Sequence, residues 1–217
     1  MVLLEARSPL MNGIRGIIYD CDGVLFDSRR ANLAYYSQVL AHFGEPPLLD
    51  ECSPSADLCH TYASLDVFHK LLGPARVAEA QDFARTIDIQ SLLPLMVPEQ
   101  GIPQVLDRLG KQMVLALATN RGRSVYSILD LFQMRSCFNA VVTSEDVQRP
   151  KPSPDMLLLA LEQLGLRPEQ ALFVGDSELD RQAAGLAGLR FVAYKGLVDG
   201  DLVIYEHQEL ETLLGLV

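Results

Sequence analysis

Three short apolar runs, each ending in a small polar cluster, constrain this chain more than any other feature. Residues 14–19 (Ile-Arg-Gly-Ile-Ile-Tyr) lead into Asp20-Cys21-Asp22-Gly23. Residues 113–118 end in Thr119-Asn120, and residues 171–174 end in Gly175-Asp176-Ser177. Runs of this length and composition read as buried strands. Shorter strands are expected at 140–142 and 189–193. Helical patterns occupy the intervals: 101–109, 124–132, 178–187 closed by Gly188, and a helix from Ser153-Pro154-Asp155 to about Leu164. That last start combines a capping serine, a proline in the first turn and an early acid, with Gly165 behind the end. Strand–helix alternation of this kind predicts an α/β fold, a parallel sheet flanked by helices on both faces. Parallel strands bring all their carboxyl ends, and hence all three polar clusters, to one rim.

Residues 28–93 follow a different rule. Asp27-Ser28 offers an N-cap. Leu33, Tyr36, Leu40 and Phe43 recur at helical spacing before Gly44, and Glu45-Pro46-Pro47 then breaks the chain. Leu65, Phe68, His69 and Leu72 form one further face and residues 77–87 another, divided by Gly73-Pro74. No strand pattern appears. A small all-helical unit is therefore expected at 28–93, inserted after the first strand into a discontinuous core of 1–27 and 94–217.

Composition narrows the function. The 217 residues are 49% hydrophobic and 21% charged, with a net charge of −10. That balance suits a packed globular chain and opposes binding to nucleic acid or acidic membranes, which need basic patches. No apolar run approaches bilayer length. Residues 1–7 lack a signal-peptide core and read as a leader, with Met11 as an alternative start. Cys21, Cys52, Cys59 and Cys137 match no zinc or disulfide spacing and read as reduced thiols, so a cytoplasmic setting is expected, as monomer or homodimer.

The rim carries the chemistry. Taken alone, Asp20-Cys-Asp-Gly could equally be an acidic turn that caps a strand. With Asp176, and Asp180 one helical turn later, several carboxylates crowd one place and would repel one another. A hard divalent cation resolves that repulsion, and carboxylates with water suit magnesium. Lys151, between Pro150 and Pro152, adds a positive charge on a stiffened loop. Thr119 and Asn120 are neutral donors at a strand-to-helix turn, suited to an anionic oxygen. Acids, cation, lysine and donors together describe a phosphoryl-transfer site.

The segments Asp20-Cys-Asp-Gly-Val-Leu, Thr119-Asn120, Lys151 and Gly175-Asp-Ser-Glu-Leu-Asp180 resemble, in order, the four motifs of the haloacid dehalogenase (HAD) superfamily. The resemblance covers nearly all of the chain outside the helical insert. It implies a HAD-like Rossmannoid core, with residues 28–93 as a helical cap of the first type. It further implies that Asp20 is a nucleophile forming an aspartyl-phosphate and that Asp22 is general acid and then base. Thr119 would hold the transferring group with Asn120 beside it, and Lys151 would stabilise shared negative charge. Magnesium would bind Asp20, the Asp22 main-chain carbonyl and Asp176, with Asp180 direct or through water. Asp22 separates the chain from dehalogenases and phosphonate-cleaving members, which lack an acid there. The expected activity is a phosphatase acting on a small phosphorylated metabolite. A phosphomutase of the β-phosphoglucomutase type is the alternative, but the chain has Asn32 where that group has a cap histidine, and Gly175 where it has glutamate. The Gly-Asp-Ser-x-x-Asp form resembles phosphoglycolate phosphatases more. A non-catalytic phospho-ligand-binding module is a third reading, though no motif residue is missing.

Outside the motifs the sequence leaves alternatives open. Arg29, Arg30 and Asn32 either reach substrate or form a solvated helix face. Arg121 and Arg123 either contact a distal anionic group or begin an exposed helix. His60 and His69 read as partly buried helix residues, and Lys70 as solvated.

Overall fold

The structure, a computed structural model, describes residues 13–216; the leader expected at 1–7 and the alternative start at Met11 lie outside them. In chain order the elements are β1 (Gly16–Tyr19), β2 (Phe26–Asp27), α1 (Arg29–His42), α2 (Pro54–Thr61), α3 (Ser64–Leu72), α4 (Val77–Ala84), β3 (Val97–Pro98), α5 (Ile102–Gly110), β4 (Val114–Thr119), α6 (Ser124–Leu131), β5 (Ala140–Thr143), α7 (Asp155–Leu164), β6 (Ala171–Gly175), α8 (Glu178–Ala187), β7 (Arg190–Tyr194), β8 (Leu202–Ile204) and α9 (Glu209–Leu213).

Six strands form one parallel sheet in the order β5-β4-β1-β6-β7-β8. Alternation along each strand divides its side chains between two faces. Ile17, Tyr19, Leu115, Leu117, Leu172 and Val174 pack with α5, α6 and α9. Ile18, Ala116, Ala118, Phe173 and Ala193 pack on the other face with α7 and α8. On that second face α7 buries Met156, Leu157, Ala160 and Leu161, whereas α8 buries the alanines at 183, 184 and 187. The fold is α/β, as the strand–helix alternation requires. β8 and α9 escaped the sequence reading, because three- and five-residue elements show too little periodicity to detect.

Between β2 and β3 the chain is helical, with its own apolar cluster of Leu33, Tyr36, Val39, Val67, Phe68 and Ala80 among others. The two chain crossings pair as an antiparallel ribbon, Phe26 opposite Pro98 and Asp27 opposite Val97. Local expectations are corrected at four positions. Ser28 stands at the N-cap of α1 without capping it. Ser153 does not cap α7; its hydroxyl donates to the Asp155 carboxylate at 2.8 Å. On α3 the buried pair is Val67 and Phe68, and Leu65 is 49% exposed. His69 is also exposed. Among the described residues, no helix is long and apolar enough to cross a membrane.

Candidate active site

β1 ends at Tyr19, and the Asp20 N–H still donates to the Val174 carbonyl of β6 at 2.9 Å. The chain then turns sharply: the Leu25 and Phe26 N–H groups share the Cys21 carbonyl at 2.9 and 3.2 Å, and Gly23 N–H donates to the Phe26 carbonyl at 2.8 Å. Cys21 between the two acids is fully buried in the core. Gly23 has φ +80°, and a Cβ there would lie 2.1 Å from the Asp176 carboxylate and 3.0 Å from His60 Nε2. Only glycine allows that backbone and that approach.

The rim gathers the expected groups. Lys151 Nζ lies 2.7 Å from Asp20 Oδ1 and 2.6 Å from Asp180 Oδ1, its side chain 2% exposed. Its backbone is held by Asn120, whose Oδ1 accepts the Lys151 N–H at 3.0 Å and whose Nδ2 donates to the Lys151 carbonyl at 3.1 Å. The same Nδ2 donates to the Thr61 carbonyl of α2 at 2.9 Å. Asn120 therefore braces the lysine loop against the helical insert. Thr119, at the end of β4, accepts the Arg121 N–H on Oγ1 at 3.1 Å, which leaves its own hydroxyl proton available. Asp180 is fully engaged, since its Oδ2 accepts from Ser177 N at 3.1 Å and Ser177 Oγ at 2.5 Å.

Asp20, Asp176 and Asp180 each offer one carboxylate oxygen, and these lie within 4.8 Å of one another. Burial, above all, pushes the Asp20 carboxyl up to about 7; Asp180 and Asp22 add to this and Lys151 opposes it. Asp176 is raised well above the ordinary range, by burial first and then by Asp180 and Asp20. Among the described residues Asp20 Oδ1 is a buried oxygen whose partner is the Lys151 ammonium, at 2.7 Å. An all-oxygen cluster of crowded acids with one lysine fits a hard divalent cation of the magnesium type.

Asp22 lies in a different environment. The Arg121 guanidinium donates to both its oxygens, Nε to Oδ2 at 3.1 Å and Nη2 to Oδ1 at 2.5 Å. The Ser28 hydroxyl also donates to Oδ1, which explains why it does not cap α1. Asn32 Nδ2 contacts the same oxygen at 3.3 Å, while Asn32 Oδ1 accepts from Arg121. Burial raises the Asp22 carboxyl, but Arg121, with His60 and Ser28, outweighs it and brings the group down to about 2. Two acids two residues apart are thus driven in opposite directions by their partners.

A family model described as haloacid dehalogenase-like hydrolase matches residues 17–194. The chain belongs to the haloacid dehalogenase-like hydrolases. The phosphoglycolate phosphatase of Escherichia coli O157:H7 is 34% identical over 200 residues, covering 81% of this chain and 79% of that one. A HAD-superfamily hydrolase of subfamily IA, variant 1, from Geobacter sulfurreducens superposes with a TM-score of 0.81 at 40% identity, covering 93% of this chain and 100% of its own. CbbY from Rhodobacter sphaeroides in complex with phosphate has a TM-score of 0.78 at 24% identity, covering 91% and 96%, and shares the fold. This HAD-like hydrolase is a phosphatase.

In this hydrolase the residues outside the motifs divide clearly. Arg121 is no exposed helix start; its side chain is 15% exposed and lies on Asp22. Arg123 is exposed and pairs with Glu145 and Asp146. Arg29 turns to Asp57 at 2.7 Å and the Glu51 carbonyl at 3.0 Å, within the insert, while Arg30 is solvated near Glu51. Asn32 alone of that first turn reaches the rim. His60 was missed as a site residue: its Nδ1 is 3.3 Å from Asn32 Nδ2, and burial lowers its basicity. No spacing links His60 to Asp22, so only tertiary contact could reveal it. At Gly175, a Cβ would meet Asp180 side-chain atoms at 2.6–3.0 Å, so no larger residue fits behind Asp176 in this arrangement.

Proposed function

We propose that this phosphatase is a magnesium-dependent hydrolase of small phosphate monoesters that works through an aspartyl-phosphate on Asp20. The observation that carries the reading is the Asp20 carboxylate itself. It is buried at the rim, lies 2.7 Å from Lys151 and borders a cavity of about 940 Å³ between sheet and insert. Asp20 attacks phosphorus from that position, and the ester P–O bond breaks. Asp22, once released by Arg121 and protonated from solvent, donates that proton to the departing oxygen, and then accepts one from the water that hydrolyses the acyl phosphate. Thr119 offers its hydroxyl proton to a phosphoryl oxygen, and Lys151 balances the charge that the nucleophile and phosphate share. Asp20, the Asp22 main-chain carbonyl and Asp176 would hold magnesium, which supplies positive charge against the phosphoryl oxygens. Asp180, engaged on both oxygens, positions Lys151 and would reach the metal through water.

In this reading the core comprises 1–27 and 94–217, and the helical unit at 28–93 closes over the rim to exclude bulk water. The phosphoglycolate phosphatase relatives support a short, anionic substrate. The test compares wild type with Asp20→Asn on p-nitrophenyl phosphate in magnesium, then on phosphoglycolate, sugar phosphates, nucleotides and pyrophosphate. Wild type releases phosphate and the variant falls to background. Equal activity in the variant would remove Asp20 as nucleophile, and isomerisation without phosphate release would assign a mutase.

A further inference from the structure

The turn after Asp20 is held from outside as well as from within. Inside it, the Cys21 and Phe26 carbonyls accept the Leu25, Phe26 and Gly23 N–H groups. The Val24 and Leu25 carbonyls find their donors elsewhere. Both residues are fully buried, so neither carbonyl has water to fall back on. Val24 accepts from His207 Nε2 at 2.8 Å, and Leu25 accepts from the Glu99 N–H at 2.9 Å. A carbonyl accepts only from a donor, so His207 carries its proton on Nε2.

These two donors belong to one assembly. The His207 ring stacks on Tyr194, the last residue of β7, with centroids 4.3 Å apart, and packs against Tyr19, the last residue of β1, at 6.0 Å. The Tyr194 hydroxyl donates to Glu99 Oε2 at 3.0 Å, and Lys195 Nζ donates to Oε1 at 2.6 Å. Lys195 holds φ +58°, a left-handed backbone that is costly outside glycine and persists only where its surroundings fix it. Glu99 directly follows β3, so the second crossing to the insert is tied to the same assembly. Each donor fixes a peptide plane, because a carbonyl has no torsion apart from the rigid amide it belongs to. The planes at Val24 and Leu25 are thus set from outside, and through the tight turn at Gly23 they set the plane of the Asp22 carbonyl.

We propose that His207 and Glu99 are positioning residues of this phosphatase: together they clamp the outer carbonyls of the turn and so aim the Asp22 main-chain carbonyl at the cation of the acid cluster. Neither is among the described residues that line the cavity, and both act only through the backbone between Asp22 and Phe26. Outer partners of this kind govern how tightly a site holds its metal, because a ligand that must first be oriented gives up part of the binding energy. The inference rests on the magnesium reading above and adds to it two residues that no motif contains.

In the experiment magnesium chloride is titrated into the intact protein by calorimetry, at a temperature where circular dichroism shows every variant folded. His207→Ala should weaken magnesium binding by roughly tenfold, the lower end of the range for a lost outer partner. KM for p-nitrophenyl phosphate at saturating magnesium should stay within about twofold, since the groups that bind the ester are untouched. His207→Gln keeps a side-chain N–H that can reach Val24 and should retain most of the affinity. Free imidazole should restore binding in His207→Ala by refilling the space left by the ring, and should do nothing to wild type. Glu99→Gln keeps the core filled and should weaken binding about threefold through a looser hold on Tyr194 and Lys195, and it serves if the alanine variant does not fold. Arg108→Met controls for mere destabilisation. It strips the buried Glu211 of its cation in α9 without touching the turn, and should leave magnesium affinity at the wild-type value. Wild-type affinity in both His207→Ala and Glu99→Gln would overturn the clamp, as would an equal loss in Arg108→Met. A wild type that takes up no magnesium would overturn the metal reading itself.

Discussion

His207 offers a quantitative test of how the C-terminal segment supports the active-site turn. It is 1% exposed, its Nε2–H donates to the Val24 carbonyl at 2.8 Å, and its ring stacks on Tyr194 with centroids 4.3 Å apart. Nδ1 is buried without a partner among the described residues. Burial, only partly offset by the Val24 hydrogen bond, lowers the imidazole from 6.5 to about 4. In the unfolded chain the same side chain takes a proton near pH 6.5, so the unfolded state binds more protons between those two values. Stability from His207 is therefore complete above pH 6.5 and lost as pH falls through about 4. Each pH unit in that window is worth about 1.4 kcal/mol, so the loss totals about 3 kcal/mol. The assay is urea unfolding at pH 7.0, 6.0, 5.0 and 4.0 for wild type and His207→Gln. The difference between the two stability curves should grow by about 3 kcal/mol in favour of the variant as pH falls. Other carboxylates titrate in both proteins and cancel in that difference. Parallel curves would refute the claim that His207 is held neutral beneath the turn.

The remaining predictions concern the rim. Lys151→Met leaves Asp20 and Asp180 without their buried cation, and should destabilise the metal-free protein by about 3 kcal/mol in urea unfolding. Added magnesium should recover part of that loss, and an unchanged midpoint would sink the pairing. Gly23→Ala places a methyl 2.1 Å from the Asp176 carboxylate at φ +80°. It should cost about 1–3 kcal/mol in thermal unfolding and weaken magnesium binding in calorimetry, whereas wild-type affinity would contradict the close approach. Chelation with EDTA should abolish phosphate release, and magnesium should restore it while calcium, larger and less strictly octahedral, should not. Full activity after exhaustive chelation would exclude a metal at the acid cluster.

Much of this molecule was legible from its residues in order. Strand runs ending in polar clusters imply a parallel sheet, and a parallel sheet implies one rim, so the convergence of Asp20, Thr119, Lys151, Asp176 and Asp180 follows from residue order. That inference works because side-chain period and strand direction are local properties of the chain. The helical insert was legible for the same reason, down to its breaks at Gly44 and Gly73.

Partners across long separations were not legible. The Arg121 side chain meets Asp22 across 99 residues and Asn32 across 89, and His207 meets Val24 across 183. Sequence left Arg121 open between an exposed helix start and a ligand contact. Packing of the insert on the rim put it on Asp22. Ser28 read as a helix cap from its neighbours, and tertiary structure gave its hydroxyl to Asp22. His60 carried no motif, and it became part of the site only when α2 folded over Gly23. The sequence alone determined which chemical groups converge on one rim, through periodicity and chain direction. Which donor engages which acid was decided only by the tertiary structure, because burial makes an unpaired charge too costly to leave and the fold determines which partner is within reach.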